Sequence, residues 1–237
     1  MRFKKNIFRF AFFSFIFLAL DYPYIWDVYS RSDYELLTLI MKDTIGYNNL
    51  YYFPGIIVTV MYVFELSKLN FAKDSAFVTR NGKNKYIKYL VKDALINSAL
   101  YSAEFVAAEA LICTIRFESE LLRDTGFYWC CILYALMLCG YFAFVGILTI
   151  LINVVFNFGK IGDFVSIAFF LLLNSLTLIN IDVSPVYYVC FISAWFENGT
   201  FNYIQYILDF VKCLCLFFAI NYLTQIVYLR KDVMFNE

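Results

Sequence analysis

Histidine is absent from all 237 residues. That removes the commonest general base at neutral pH and the commonest metal ligand. Charge is scarce: Asp, Glu, Lys and Arg make up 16% of the chain, against 62% hydrophobic residues. A soluble domain of this length cannot hide so much apolar side chain, so lipid must be the solvent for much of it. Nineteen cations balance 19 anions, and a net charge of zero points to no nucleic-acid partner. The seven cysteines contain no CxxC pair, and six of them (all but Cys190) lie in apolar stretches. There they read as small apolar filler. A phosphate loop is missing as well. Gly82-Lys83 and Gly159-Lys160 are not followed by Ser or Thr, and neither has the upstream Gly of such a loop. No metal, no cofactor and no ATP hydrolysis are expected of this chain. With no metal-ligating cluster, no Ser/Lys pair and no paired aspartates, an intramembrane enzyme has no support.

What is present is a series of long apolar runs. They are continuous rather than alternating, which argues for helices over strands. The expected fold is an all-α membrane protein of one domain, residues 1–237, with six spans near 7–26, 50–66, 94–115, 127–158, 164–181 and 204–229. Pro54 falls in the first turn of the second span, where a missing N–H does no harm. The fourth is long enough to tilt, bend near Gly140 or protrude. The first run, behind Lys4 and Lys5, continues past Asp21 to Trp26 without a small-residue cleavage site. It reads as an uncleaved span rather than a signal peptide.

Cations set the expected orientation. Arg2, Lys4, Lys5, Arg9, the loop from Lys68 to Lys92, Lys160, Arg230 and Lys231 would share one side, 14 of the 19. Ten acids, among them Asp33, Glu118, Asp182 and Glu197, would share the other. Both termini would then be cytoplasmic. Arg80, Lys83, Lys85, Lys88 and Lys92 crowd into thirteen of these cytoplasmic positions. Lys85, Lys88 and Lys92 share one helical stripe; Ile87, Leu90, Val91 and Ala94 share another, roughly opposite. An amphipathic helix lying at the inner surface and running into the third span is expected, with Asn81-Gly82 turning the chain before it. A plain positive-inside segment touching anionic lipid is the other reading.

This layout, with Phe53-Pro54-Gly55 opening the second span and Thr79-Arg80-Asn81-Gly82-Lys83 followed by Tyr86, resembles the permease subunits of ABC-2-type ABC transporters. The likeness is to the small six-span type of Gram-positive exporters and bacteriocin-immunity pumps. It implies a cytoplasmic coupling helix between spans two and three, carried here by Thr79, Arg80, Lys83, Lys85, Tyr86 and Lys88. It implies an apolar outer element between spans five and six, here Pro185 to Phe196, which is too short to span and rich in aromatics. The implied partners are two copies of a separate ATPase, which would hold ATP and magnesium, and a second copy of the permease or a related one. The implied substrate is a peptide or another amphipathic molecule. The richness in Ile, Phe, Asn and Lys suggests a bacterial plasma membrane, where the sequon at Asn198 would be chance.

Four ionisable residues fall inside expected spans: Glu104 and Glu109 in the third, Asp209 and Lys212 in the sixth. Such groups usually face protein or water. Asp209 and Lys212 are three apart and can pair on one helix, either structurally or along a polar translocation path. Glu104 and Glu109 are about 140° apart around the helix and cannot both face one narrow pore; a proton relay through them is a further reading. Ala99, Ala103, Ala107 and Ala110 form a small-residue face suited to close helix packing. Two other functions stay open. One is the substrate-capture subunit of an energy-coupling-factor importer, although the bulky Phe residues of the first span do not suit its partner contact. The other is a non-transporting structural subunit of a membrane complex.

Overall fold

Among the described residues, three helices are long and apolar enough to cross a membrane: Lys83–Arg116, Phe127–Val155 and Tyr203–Arg230. Helices of that length and composition mark a membrane protein. In the computed structural model, residues 14–16, 33, 37, 58–67, 82–156, 160–177, 196, 197 and 200–230 are described. The elements are α1 (Thr59–Ser67), α2 (Lys83–Arg116), α3 (Ser119–Asp124), α4 (Phe127–Val155), α5 (Lys160–Thr177), β1 (Phe196–Glu197), β2 (Thr200–Phe201) and α6 (Tyr203–Arg230). Apart from the two-residue antiparallel pair β1–β2, these elements are helical. Most of the expected first span, the start of the second, the end of the fifth and nearly all of the outer aromatic element lie outside the described residues.

The helices begin and end where local chemistry allows. Gly82 precedes α2 with φ 78° and Gly126 precedes α4 with φ 67°, conformations that favour glycine over any residue with a Cβ. Between them α2 contains neither Gly nor Pro, and it runs 34 residues unbroken. At 1.5 Å per residue that is about 51 Å, against a hydrocarbon core of about 30 Å. The helix expected along the membrane surface is therefore the opening of the spanning helix itself, since nothing in the sequence interrupts it. Helix α4 is likewise unbroken through Gly140, and it ends at Val155 rather than at 158. Helix α5 starts at Lys160, four residues before the expected span.

Side-chain contacts fix the relative directions. Along α4, Leu133, Gly140 and Ala143 meet Tyr206, Cys213 and Phe217 of α6 in ascending order, so α4 and α6 run parallel. Along α2, Ala94, Ser98 and Thr114 meet Gly146, Cys139 and Tyr128, so α2 runs opposite to α4. Thr59 bonds Tyr141 while Tyr62 reaches Gly146, which sets α1 parallel to α4. The second, fourth and sixth apolar stretches thus run one way and the third runs the other.

The centre of this packing is aromatic. Phe142 of α4 lies 4.9 Å from Tyr62 of α1 and 5.0 Å from Tyr101 of α2, ring centre to ring centre. Each tyrosine hydroxyl is satisfied. Tyr62 donates to Ala94 O at 3.2 Å, Tyr101 donates to Val58 O at 3.1 Å, and the Tyr141 and Thr59 hydroxyls are hydrogen-bonded to each other at 2.6 Å. Away from water an unsatisfied hydroxyl would be costly, so these bonds select which face of each helix turns inward. Helix α6 buries one stripe, Tyr206, Asp209, Cys213, Phe217, Thr224 and Tyr228. Phe210, Leu216, Ile220 and Val227 flank this stripe half-buried, and the outer side, including Ile204, Leu208, Phe218 and Tyr222, is exposed, as suits a helix in contact with lipid.

Candidate functional site

The basic opening of α2 is built from two faces. Lys85, Lys88 and Lys92 are exposed. Ile87, Leu90, Val91 and Ala94 are buried on the other side. That apolar stripe is covered by protein rather than lipid: Val91 packs with Ala143, Ile147 and Phe217. Tyr86, which the resemblance placed in the docking set, turns inward instead. It is 4% exposed, and its ring centre lies 6.1 Å from that of Tyr228 at the far end of α6. The cause is helical geometry, since Tyr86 is one turn from Leu90 and shares its face. Lys83 is half-buried. Thr79 and Arg80 lie outside the described residues.

The four ionisable residues expected within spans are all placed, the two glutamates apart from the Asp209–Lys212 pair. Glu104 is buried and accepts a hydrogen bond from Ser14 Oγ at 3.0 Å. Glu109 is 1% exposed. Asp209 is buried and Lys212 is 46% exposed, with its Nζ 3.3 Å from Asp209 Oδ1. Gln205 joins them: its Nε2 donates to both carboxylate oxygens of Asp209 at 3.0 Å. Gln205 was not anticipated, although its spacing of four from Asp209 is the favourable one on a helix. The Asp209–Lys212–Gln205 set lies along one helix, so its geometry needs no partner helix.

Sequence reasoning also missed a polar clasp between α4 and α5. Asn153 Nδ2 donates to Asp163 Oδ1 and to Thr149 O, each at 3.1 Å. Ser166 Oγ donates to Gly162 O at 2.8 Å. Glu65 on α1, buried at 7% exposure, was missed as well. No short motif announces these groups; only the approach of α5 to the end of α4 brings Asn153 and Asp163 together. A further tie, Tyr206 Oη to Leu133 O at 2.7 Å, holds α6 to α4. Tyr206→Phe removes that donor and keeps the ring. It is expected to cost about 1 kcal/mol, read as a modest fall in the melting temperature of the purified chain in detergent.

The expected small-residue face is partly on the surface, for Ala99, Ala103 and Ala107 are exposed and Ala110 is half-buried. Among the described residues no group of three or more Cys, Asp or Glu side chains could hold a metal ion. Comparison with protein-family models, with curated proteins and with solved structures finds no match for this chain.

Proposed function

We propose that the chain is the membrane-spanning permease subunit of an ATP-driven exporter. It would have six spans, both termini in the cytoplasm and an apolar outer element between spans five and six. It would work with two copies of a separate ATPase and with a second permease copy or a related subunit, in a bacterial plasma membrane. The substrate would be a peptide or an amphipathic molecule. The observation that carries this reading is the unbroken helix from Lys83 to Arg116, whose first turns present lysines outward. A push on those turns would pass into the span without a hinge, and the Tyr86–Tyr228 contact would carry it into α6. Arg80, Lys83, Lys85 and Lys88 would meet acids on the ATPase, adding on-rate and register, and Tyr86 would hold the lever in place.

The test is co-purification with candidate ATPases encoded beside this chain. The wild type is compared with the triple variant Arg80→Glu/Lys83→Glu/Lys85→Glu, followed by ATP turnover in lipid. The variant is expected to fold and to retain roughly tenfold less ATPase, or less still. If the wild type itself retains no ATPase, the exporter reading falls, and the substrate-capture and structural-subunit readings take its place.

A further inference from the structure

The face of α2 that carries the lysines also carries the lipid-facing apolar residues. Lys88, Lys92, Ile96 and Leu100 follow one another at four-residue spacing, with Lys85 a turn above Lys88 and Tyr89 beside them. Lys85, Lys88 and Lys92 are exposed, and so are Leu95 at 37%, Ile96 at 48% and Leu100 at 54%. The opposite face of the same turns, Tyr86, Ile87, Leu90, Val91 and Ala94, is buried in the bundle. Sequence periodicity alone cannot say whether an apolar stripe or a basic stripe meets the membrane. Packing decides it here, because protein covers the apolar stripe and leaves the lysine row continuous with the surface offered to acyl chains.

The depths also fit. Lys92 is four residues, about 6 Å, from Ile96 along the axis, and Lys88 is about 6 Å further. The headgroup layer of one leaflet is roughly 5–7 Å thick, within reach of a lysine side chain from either position. The one acid in these turns, Asp93, follows Lys92 and is half-buried, off the exposed lysine row. Three cations above an apolar strip match a molecule with an anionic head and hydrocarbon tails.

From this we infer that Lys88 and Lys92, with Lys85 at the outer edge, form a binding site for the headgroup phosphate of an anionic phospholipid whose chains lie along Leu95, Ile96 and Leu100. This inference rests on the membrane reading of the chain and not on the exporter reading. Lys85 and Lys88 are common to both, so the test uses the full-length chain without any ATPase.

The chain is purified in mild detergent, incubated with equal amounts of phosphatidylglycerol and phosphatidylcholine, and examined for retained lipid by native mass spectrometry at low salt. The wild type should retain phosphatidylglycerol preferentially. The variant Lys85→Gln/Lys88→Gln/Lys92→Gln should lose about fivefold of that preference per lysine removed, as an upper figure at low salt. Arg123→Gln, an exposed charge on α3 at the other end of α2, should change nothing. Inorganic phosphate should displace no more lipid than chloride of equal ionic strength. Should the triple variant fold poorly, Lys88→Gln/Lys92→Gln carries the same expectation at two lysines. Unchanged phosphatidylglycerol retention in the lysine variants would overturn the assignment and leave the stripe to a protein partner. An equal loss in Arg123→Gln would reduce it to bulk charge, and displacement by inorganic phosphate beyond the chloride control would make it a soluble-anion site.

Discussion

Truncating Phe142 to alanine is expected to cost about 3–5 kcal/mol, the range for a large aromatic removed from a packed interior. Phe142 has no exposed surface and touches Tyr62 of α1, Tyr101 of α2 and its neighbour Tyr141. In a bilayer the hydrophobic transfer contribution is small, because lipid tails are as apolar as the core. What remains is the lost dispersion contact around the cavity and the lost edge-to-face contact with Tyr101, at 89° between ring planes. The value should therefore fall toward the lower end of the range. Leu136 on the same helix is 50% exposed, and Leu136→Ala should be nearly neutral. Melting of the two purified variants in detergent, beside the wild type, checks this. Equal shifts for the two would show that the inward face of α4 has been misassigned.

Gly162→Ala should be the other severe substitution. A Cβ at Gly162 would sit 2.3 Å from Asn153 Oδ1, 3.0 Å from its Cγ and 3.2 Å from its Cα. The side-chain atoms can swing aside only by breaking the bonds from Asn153 to Asp163 and Thr149. The Cα can yield only if α5 moves away from α4. Overpacking of this kind costs about 1–3 kcal/mol, and the broken hydrogen bonds add about 1 kcal/mol. Combining it with Asn153→Ala removes the closest clash but leaves the backbone contact. The double variant should thus be less damaged than the two single costs added together. The measurement is again melting in detergent for both singles and the double. A neutral Gly162→Ala would mean that α5 does not approach α4 as closely as drawn.

Some of this was legible in the residues alone. The apolar runs near 94–115, 127–158 and 204–229 were readable because a span leaves a continuous signal of about 20 residues that no soluble helix needs. Gly82 was readable as a break because Asn-Gly is a turn pair, and it precedes α2 with φ 78°. That Ile87, Leu90, Val91 and Ala94 share one stripe was readable from helical period; that protein covers this stripe was not. The length of α2 was harder: an amphipathic segment and an apolar span look like two objects when only composition is read. They are one helix because no Gly or Pro between Lys83 and Arg116 interrupts it.

The candidate site was less legible. Lys212 was expected to pair with Asp209; that bond, at 3.3 Å, is local and readable from the spacing of three. The resemblance placed Tyr86 in the docking set; its ring is buried against that of Tyr228 on α6, a contact between residues far apart in sequence that no local pattern announces. Asn153 and Asp163 carry no motif, and neither does the Tyr62–Tyr101–Phe142 cluster.

By itself, then, the amino-acid sequence determined the solvent, the helical class and the stretches long enough to cross a membrane, because these depend on composition summed over a window. It also settled local events such as the turn at Gly82 and the Asp209–Lys212 pair, which need only a few residues. Tertiary structure alone decided which side of each apolar helix meets lipid and which meets protein. In a bilayer both sides want apolar residues, so hydropathy cannot distinguish Leu136 from Leu138, which are 50% and 0% exposed. That choice is made by shape, by close approaches at Gly146 and Gly162, and by buried hydroxyls and amides that must find partners once water is gone.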